Sequence, residues 1–267
     1  MPQLNPILKS ASHRFDSTIL REYDIRGIYQ QTLNEDDAYA IGLTFGTIVR
    51  RKGGSKIVTA YDGRTSSPIL HDAMAKGLRE TGCDVLHIGI GPTPMGYFAN
   101  QHLNADAAVV VTGSHNPPTH NGFKFILNKK PFFGAAIQDL GLMAQSGDWD
   151  IAQVAGALHD IDVRVDYVAR LIQDIKPGRD LKIAWDAGNG SSGDVLKVLT
   201  GKLPGTHIVL YADIDGTFPN HHPDPAVESN MTDLKHAVLD NKCDLGIAFD
   251  GDGDRIGVID EQGHMVS

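Results

Sequence analysis

The chain has 267 residues, with 24 Lys and Arg against 33 Asp and Glu and a formal net charge of −9. That length allows one or two domains with substantial cores, and 41% hydrophobic with 21% charged residues reads as globular. The acidic balance provides no overall field for a nucleic-acid backbone or an anionic membrane, so an anionic ligand needs local cations or a metal. Residues 1–15 lack the apolar stretch of a secretory signal and read as a loose tail. The first helix is predicted from an Asn34 cap. Glu35, Asp36 and Asp37 fill its first turn, Ala38, Ile41, Phe45 and Ile48 form its stripe, and Gly53-Gly54 stops it. A buried strand over 56–62, a GRTSSP turn, a helix over 67–81 and a strand over 84–90 follow. A helix is expected to open after Pro94, then a strand over 107–111, a TGSHNPPTHNG loop and an alternating strand over 122–127.

A second unit is expected from near His159. It reads as a helix over 166–175 and a strand over 181–186, then the GNGSSG loop and a helix over 194–203. A strand over 207–213, a polar Pro-rich stretch to Pro225 and a helix over 230–242 capped by Asn230 or Thr232 come next. A strand over 244–249, the DGDGDR loop and a hairpin around Glu261-Gln262-Gly263 complete the unit. KIVTAYDGRTSSP and KIAWDAGNGSSGD share a buried strand, an acidic residue, a glycine turn and Ser-Ser before a helix, a weak internal repeat of one α/β unit. The expected division is a tail over 1–15, one domain over 16–157, a second over 158–262, and the start of a third over 263–267. Only two cysteines, Cys83 and Cys243, are present, so no disulfide framework is expected and a reducing cytoplasm fits. No apolar stretch is long enough for a bilayer.

DGDGDR (250–255) carries the strongest chemical signal. Asp250, Asp252 and Asp254 alternate with glycines after a strand, so three acceptors can converge on one hard cation, and without one they would repel. With Glu261 the aspartates also fill four EF-hand ligand positions. Arg255 stands where that loop needs glycine and the flanks read as strands, so the EF-hand is rejected. TGSHNPP presents Ser114 on a loop stiffened by Pro117 and Pro118 at a strand's carboxyl end, with Ser114 a candidate nucleophile and His115 a candidate proton handler. By itself the motif also fits an ordinary polar loop. Lys124 alternates with Phe123 and Phe125 and faces either a cleft or solvent. In YDIRG, Arg26 sits beside Gly27, a pattern shared with surface arginines.

GNGSSG, from Gly188 to Gly193, matches a dinucleotide fingerprint, with Asp213 twenty residues on. It keeps a nicotinamide-dependent oxidoreductase as an alternative, beside a glycine turn that serves only packing. A non-catalytic metal-binding module is a further alternative. His221 and His222 are adjacent in a polar loop and are read as loop residues, since neighbours in an extended segment point opposite ways.

With YDIRG, TGSHNP, NGFK and DGDGDR in this order, the chain resembles the α-D-phosphohexomutase family, most of all its bacterial phosphomannomutase/phosphoglucomutase branch. The glucosamine branch typically has alanine before the serine, where this chain has Gly113. The resemblance implies an α/β fold of two consecutive mixed-sheet domains of related topology. It also implies that Ser114 carries a phosphoryl group and that Asp250, Asp252 and Asp254, with the phosphoserine oxygen, hold Mg²⁺. Arg255 would contact that phosphate, His115 and Lys124 would lie near the transferred proton, and Tyr23 and Arg26 would line the cleft. Hexose 1-phosphate and 6-phosphate would interconvert through a hexose 1,6-bisphosphate. The family has four domains and the chain resembles the first two. The third and fourth, which recognise sugar and grip its other phosphate, are expected to be missing partners, and turnover far below that of a full-length enzyme is expected.

Overall fold

In the computed structural model, which describes residues 12–176 and 178–266, the chain forms two α/β units, each built on one mixed sheet. The first contains β1 Ile25–Ile28, α1 Glu35–Arg51, β2 Lys56–Tyr61, α2 Ser67–Glu80, β3 Asp84–Ile90, α3 Thr93–His102, β4 Ala107–Val111, β5 His120–Leu127, β6 Lys130–Phe132, α4 Ala135–Ser146 and β7 Leu158–Asp160. The second contains α5 Arg164–Ile172, β8 Lys182–Asp186, α6 Gly193–Thr200, β9 Thr206–Leu210, α7 Thr232–Asn241, β10 Leu245–Phe249, β11 Ile256–Asp260 and β12 Met265–Val266.

The first sheet runs β1-β5-β4-β2-β3-β7, with β6 on β5, and the second runs β12-β11-β10-β8-β9. Strands β3, β2 and β4 are parallel, and β5 is antiparallel to β4. Strands β9, β8 and β10 repeat the arrangement with β11 antiparallel to β10. The sequence repeat is therefore a repeat of topology: β2-α2-β3-α3-β4-β5 matches β8-α6-β9-α7-β10-β11 in order and direction. The β4–β5 loop, which holds Ser114, and the β10–β11 loop, which holds the three aspartates, are counterparts.

Local chemistry explains most elements. All five residues of β4 are buried, as a central parallel strand covered on both faces requires. Asn34 Oδ1 accepts the amides of Asp36 and Asp37 while Asp37 Oδ2 accepts the Asn34 amide, a reciprocal cap contributing about 1 kcal/mol. One core fills the α1–α2–α4 face of the first sheet, around Phe45, Leu70, Met74, Phe123 and Phe125. On the other face Val58, Met95 and Val110 pack in one cluster with Tyr167 and Val168 of α5 and Val195 of α6. That cluster crosses from one unit to the other, so apolar packing joins them as well as the chain.

Several elements differ from expectation. Neither Asn230 nor Thr232 caps α7: their side chains donate to the carbonyls of Asp224 and Ser229, and a 3₁₀ turn over Glu228–Met231 leads in. α3 starts at Thr93 with Pro94 inside its first turn, where a missing N–H costs nothing. β9 stops at Leu210 because Tyr211 takes a φ of 51°. β1, β6, α4 and β7 were not expected; α4 follows Gly134 with no side-chain cap, which removes the usual start signal. Leu158–Asp160, expected to begin the second domain, pairs with β3 of the first sheet; we therefore propose the boundary between Asp160 and Arg164. Of the expected tail, residues 1–11 lie outside the described residues. The rest is held, with the His13 amide on the Ala144 carbonyl and Phe15 buried. Among the described residues, no helix is long and apolar enough to cross a membrane.

Candidate active site

The serine loop is built around two charged residues just beyond β2. Asp62 accepts the Arg64 Nε (3.0 Å), the Thr112 hydroxyl (2.8 Å) and the Gly113 amide (3.1 Å) on Oδ2, and the Ser67 hydroxyl on Oδ1. Arg64, with no exposed side-chain surface, donates to the carbonyls of Ser114 (2.8 Å), Asn116 (2.7 Å), Pro117 and His120 (3.0 Å). One guanidinium fork thus ties four loop carbonyls to a single buried side chain. Ser114 itself is buried with φ at 51°, a left-handed conformation unusual for a non-glycine residue and the kind of strain that surrounding bonds must hold. A Cβ on Gly113 would lie 2.5 Å from the Arg64 guanidinium, which gives the glycine before the serine a steric reason.

The acidic loop closes on itself through Asp250. Its Oδ1 accepts the amides of Asp254 (3.0 Å) and Arg255 (3.1 Å), while Gly253 takes a φ of 69°. Gly251 has another function: a Cβ there would stand 2.5 Å from the Ser114 carbonyl, so its absence lets the serine loop approach. Asp250 and Asp252 are fully buried, Asp254 is exposed, and one carboxylate oxygen from each lies within 4.8 Å of the others. At that separation each ionised pair repels by about 3–4 kcal/mol at an effective dielectric of about 20. Burial, then Asp252 and Asp254, pushes the Asp250 carboxyl up to about 7. Burial also raises Asp252, but Lys124 and the Thr93 hydroxyl outweigh it and hold that carboxyl below its ordinary value. Asp252 Oδ1 is buried without a hydrogen-bond partner. An orphaned carboxylate oxygen in a nest of three acids is the donor set a hard divalent cation takes, so the residues fit a metal.

The two loops meet. The Ser114 hydroxyl donates to Asp250 Oδ2 at 2.9 Å, across 136 residues. Lys124 Nζ reaches Asp252 Oδ2 and Asp254 Oδ2, each at 2.6 Å. Its ammonium loses solvent on burial, but the two carboxylates outweigh that and raise its pKa. His115 Nδ1 lies 3.3 Å from Ser114 Oγ, and its Nε2 lies 3.4 Å from Arg255 Nη1. Because a guanidinium only donates, Nε2 accepts and Nδ1 carries the proton toward Ser114. Burial and then Arg255 lower the His115 pKa, keeping the ring neutral. Arg26 is buried, bonds Asn116 Oδ1 (2.7 Å) and pairs with Asp24, and leaves its Nε unpartnered. Tyr23 is 77% exposed and stacks on Phe133. A cleft of about 410 Å³ is lined by Tyr23, Arg26, Tyr97, Ser114, Lys124, Asp254 and Arg255, a size suited to a small-molecule ligand.

Every residue singled out from the motifs therefore converges on one place. The glycine loop does not. The amides of Gly188, Asn189, Gly190, Ser191 and Gly193 all bond protein carbonyls or Asp186, and a Cβ on Gly190 would meet the Gly251 carbonyl at 2.8 Å. No cradle of free amides remains for a pyrophosphate, and Asp213 is an exposed partner of Lys197. The dinucleotide reading is thus corrected to a packing turn beneath the acidic loop. Arg64 and Thr93 were missed. So was His221, read as a loop residue, whose Nε2 lies 2.9 Å from the fully buried Asp186. The repeat that paired Asp62 with Asp186 was the one signal pointing toward the acidic partners of Arg64 and His221.

Residues 17–139 match "Phosphoglucomutase/phosphomannomutase, alpha/beta/alpha domain I", and residues 165–263 match the corresponding domain II. The chain belongs to the phosphohexomutase family. It is 40% identical over 248 residues to a phosphoglucomutase of Neisseria meningitidis serogroup A, covering 93% of this chain and 54% of that protein. It is 38% identical over 249 residues to a phosphomannomutase/phosphoglucomutase of Pseudomonas putida, covering 93% and 53%. The crystal structure of a phosphoglucomutase/phosphomannomutase family protein from Burkholderia thailandensis matches with a TM-score of 0.90 and 42% identity, over 94% of this chain and 56% of that one. The chain therefore spans about half the length of the curated relatives it matches. The fold is that of phosphohexomutase domains I and II.

Proposed function

We propose that this chain carries the phosphoserine and metal half of a phosphohexomutase site, acting on hexose 1-phosphate and 6-phosphate through a hexose 1,6-bisphosphate. The single observation that carries this reading is the 2.9 Å contact between Ser114 Oγ and Asp250, beside the orphaned oxygen of Asp252. Asp250, Asp252 and Asp254, with an oxygen of phosphorylated Ser114, would hold Mg²⁺. Bound there, the ion would draw charge from the phosphoryl oxygens and fix their orientation.

The protein's own groups divide the remaining work. Ser114 receives the phosphoryl group from the bisphosphate: the sugar O–P bond breaks, the Oγ–P bond forms, and the serine proton goes to the sugar side. The Ser114 hydroxyl proton faces Asp250 Oδ2, and neutral His115 turns its Nδ1 proton toward Oγ, so its role is to orient that oxygen as a hydrogen-bond donor. Lys124, held as an ammonium by two carboxylates, serves as donor and charge neutraliser, and Arg255 faces the non-bridging oxygens. Arg26, with its free buried Nε, and Tyr23 at the cleft mouth would hold the sugar phosphate. The buried, unpaired Cys83 and Cys243 suit a reducing cytoplasm.

Intact mass and peptide mapping after incubation with glucose 1,6-bisphosphate and Mg²⁺ test this. One phosphoryl group on Ser114 is expected, absent from Ser114→Ala and absent when the metal is chelated. A metal-loaded chain that takes no phosphoryl group, or one that Ser114→Ala still takes, would contradict it.

A further inference from the structure

We propose that Thr93, in the first unit, is the positioning residue that aims Asp252 of the second unit at the metal; this rests on the metal reading above. Thr93 is fully buried at the start of α3. It grips Asp252 twice, its amide donating to the Asp252 carbonyl at 2.8 Å and its hydroxyl to Oδ2 at 2.5 Å. Lys124 donates to the same Oδ2 at 2.6 Å. One carboxylate oxygen is thus saturated by donors from the first unit, and the other, Oδ1, is left bare and buried. The corner before α3 packs on the acidic loop itself, since a Cβ on Gly253 would come 3.0 Å from Pro92 Cβ.

A carboxylate held through one oxygen by two donors has a fixed plane, and its other oxygen points in one direction. Lys124 alone holds it by a flexible stem. The Thr93 hydroxyl, on a buried helix start whose backbone is also bonded to Asp252, is the rigid donor. Removing it frees the carboxylate to turn. Hydrogen bonds of this kind to a metal ligand characteristically change affinity by about 10–100-fold. The consequence is structural as well: the metal site lies in the second unit, but its geometry is set across the junction from the first.

The test is Mn²⁺ affinity of the chain by calorimetry, with thermal unfolding recorded for each variant. Thr93→Val keeps the shape and the backbone bond and should weaken Mn²⁺ by about 10–100-fold, while Thr93→Ser, which keeps the hydroxyl, should restore most of it. If wild type binds Mn²⁺, Asp252→Asn abolishes binding and Thr93→Val binds as wild type, the positioning role is overturned and the metal reading stands. If wild type binds no Mn²⁺, or Asp252→Asn binds it unchanged, the metal reading fails and the inference falls with it. Weak binding in Thr93→Val that Thr93→Ser does not restore overturns the role of the hydroxyl.

Discussion

Asp62 and Asp186 stand at the same place in the two repeats, at the carboxyl end of the first parallel strand, and both are buried. They differ in the cation that faces them. Asp62 faces Arg64, charged at any working pH, and through it four carbonyls of the serine loop are fixed. Asp186 faces His221, whose other ring nitrogen lies 3.0 Å from the His222 carbonyl, so both nitrogens have acceptors, an arrangement that favours the protonated ring. One scaffold therefore carries a permanent staple under the nucleophile and a titratable one under the glycine turn that supports the acidic loop. Where a strained residue such as Ser114 must be held, the partner is the one that cannot lose its charge.

Arg64→Ala should break this comparison most severely. It leaves Asp62 buried without its cation, and four loop carbonyls lose a donor. About 3–5 kcal/mol of stability should go, or roughly 6–20 °C in Tm for a chain of this size. Arg64→Lys should recover little, because a single ammonium cannot reproduce the fork. Calorimetry checks both, and a loss below about 1 kcal/mol would mean that the staple contributes little.

His221→Gln should have a smaller effect, visible through pH. Hydrogen bonding to Asp186, against some burial, raises the His221 pKa above its ordinary value near 6.5. A histidine raised on folding stabilises fully below the unfolded value, and that contribution is lost as pH rises through the folded value. Wild-type Tm should therefore fall as pH climbs above about 6.5, and the variant should show a flatter curve over the same window. His87, His115 and His120, all lowered chiefly by burial, titrate below that window. Parallel curves above that pH would remove His221 as the titratable staple.

Much of the site was legible because its chemistry is local in sequence. The alternation of aspartates and glycines states a cation site before any fold is known, and the spacing of Phe123, Lys124 and Phe125 puts the lysine opposite the core. Two prolines after Ser114 announce a stiff loop. Arg64, Thr93 and His221 were not legible, since each matters through a partner 35 to 159 residues away or through buried carbonyls, and nothing in a single arginine, threonine or histidine marks that. The glycine fingerprint misled for the complementary reason: a pattern does not say whether its amides are free, and here the protein uses them. β6 escaped because a three-residue strand carries no periodic signal, whereas α4 has a stripe of Ile137, Leu140 and Ala144 and lacks only a capping side chain to mark its start.

The central claim is that Ser114 and the three aspartates, contributed by two units, form one phosphoserine–metal site. ³¹P NMR of the Ser114-phosphorylated chain titrated with Mn²⁺ tests it most directly. The phosphoserine resonance should broaden steeply at Mn²⁺ below one equivalent, and should stay sharp in Asp252→Asn under the same titration. A resonance that stays sharp in the wild-type chain with a full equivalent of Mn²⁺ bound would show that metal and phosphoserine do not share a site.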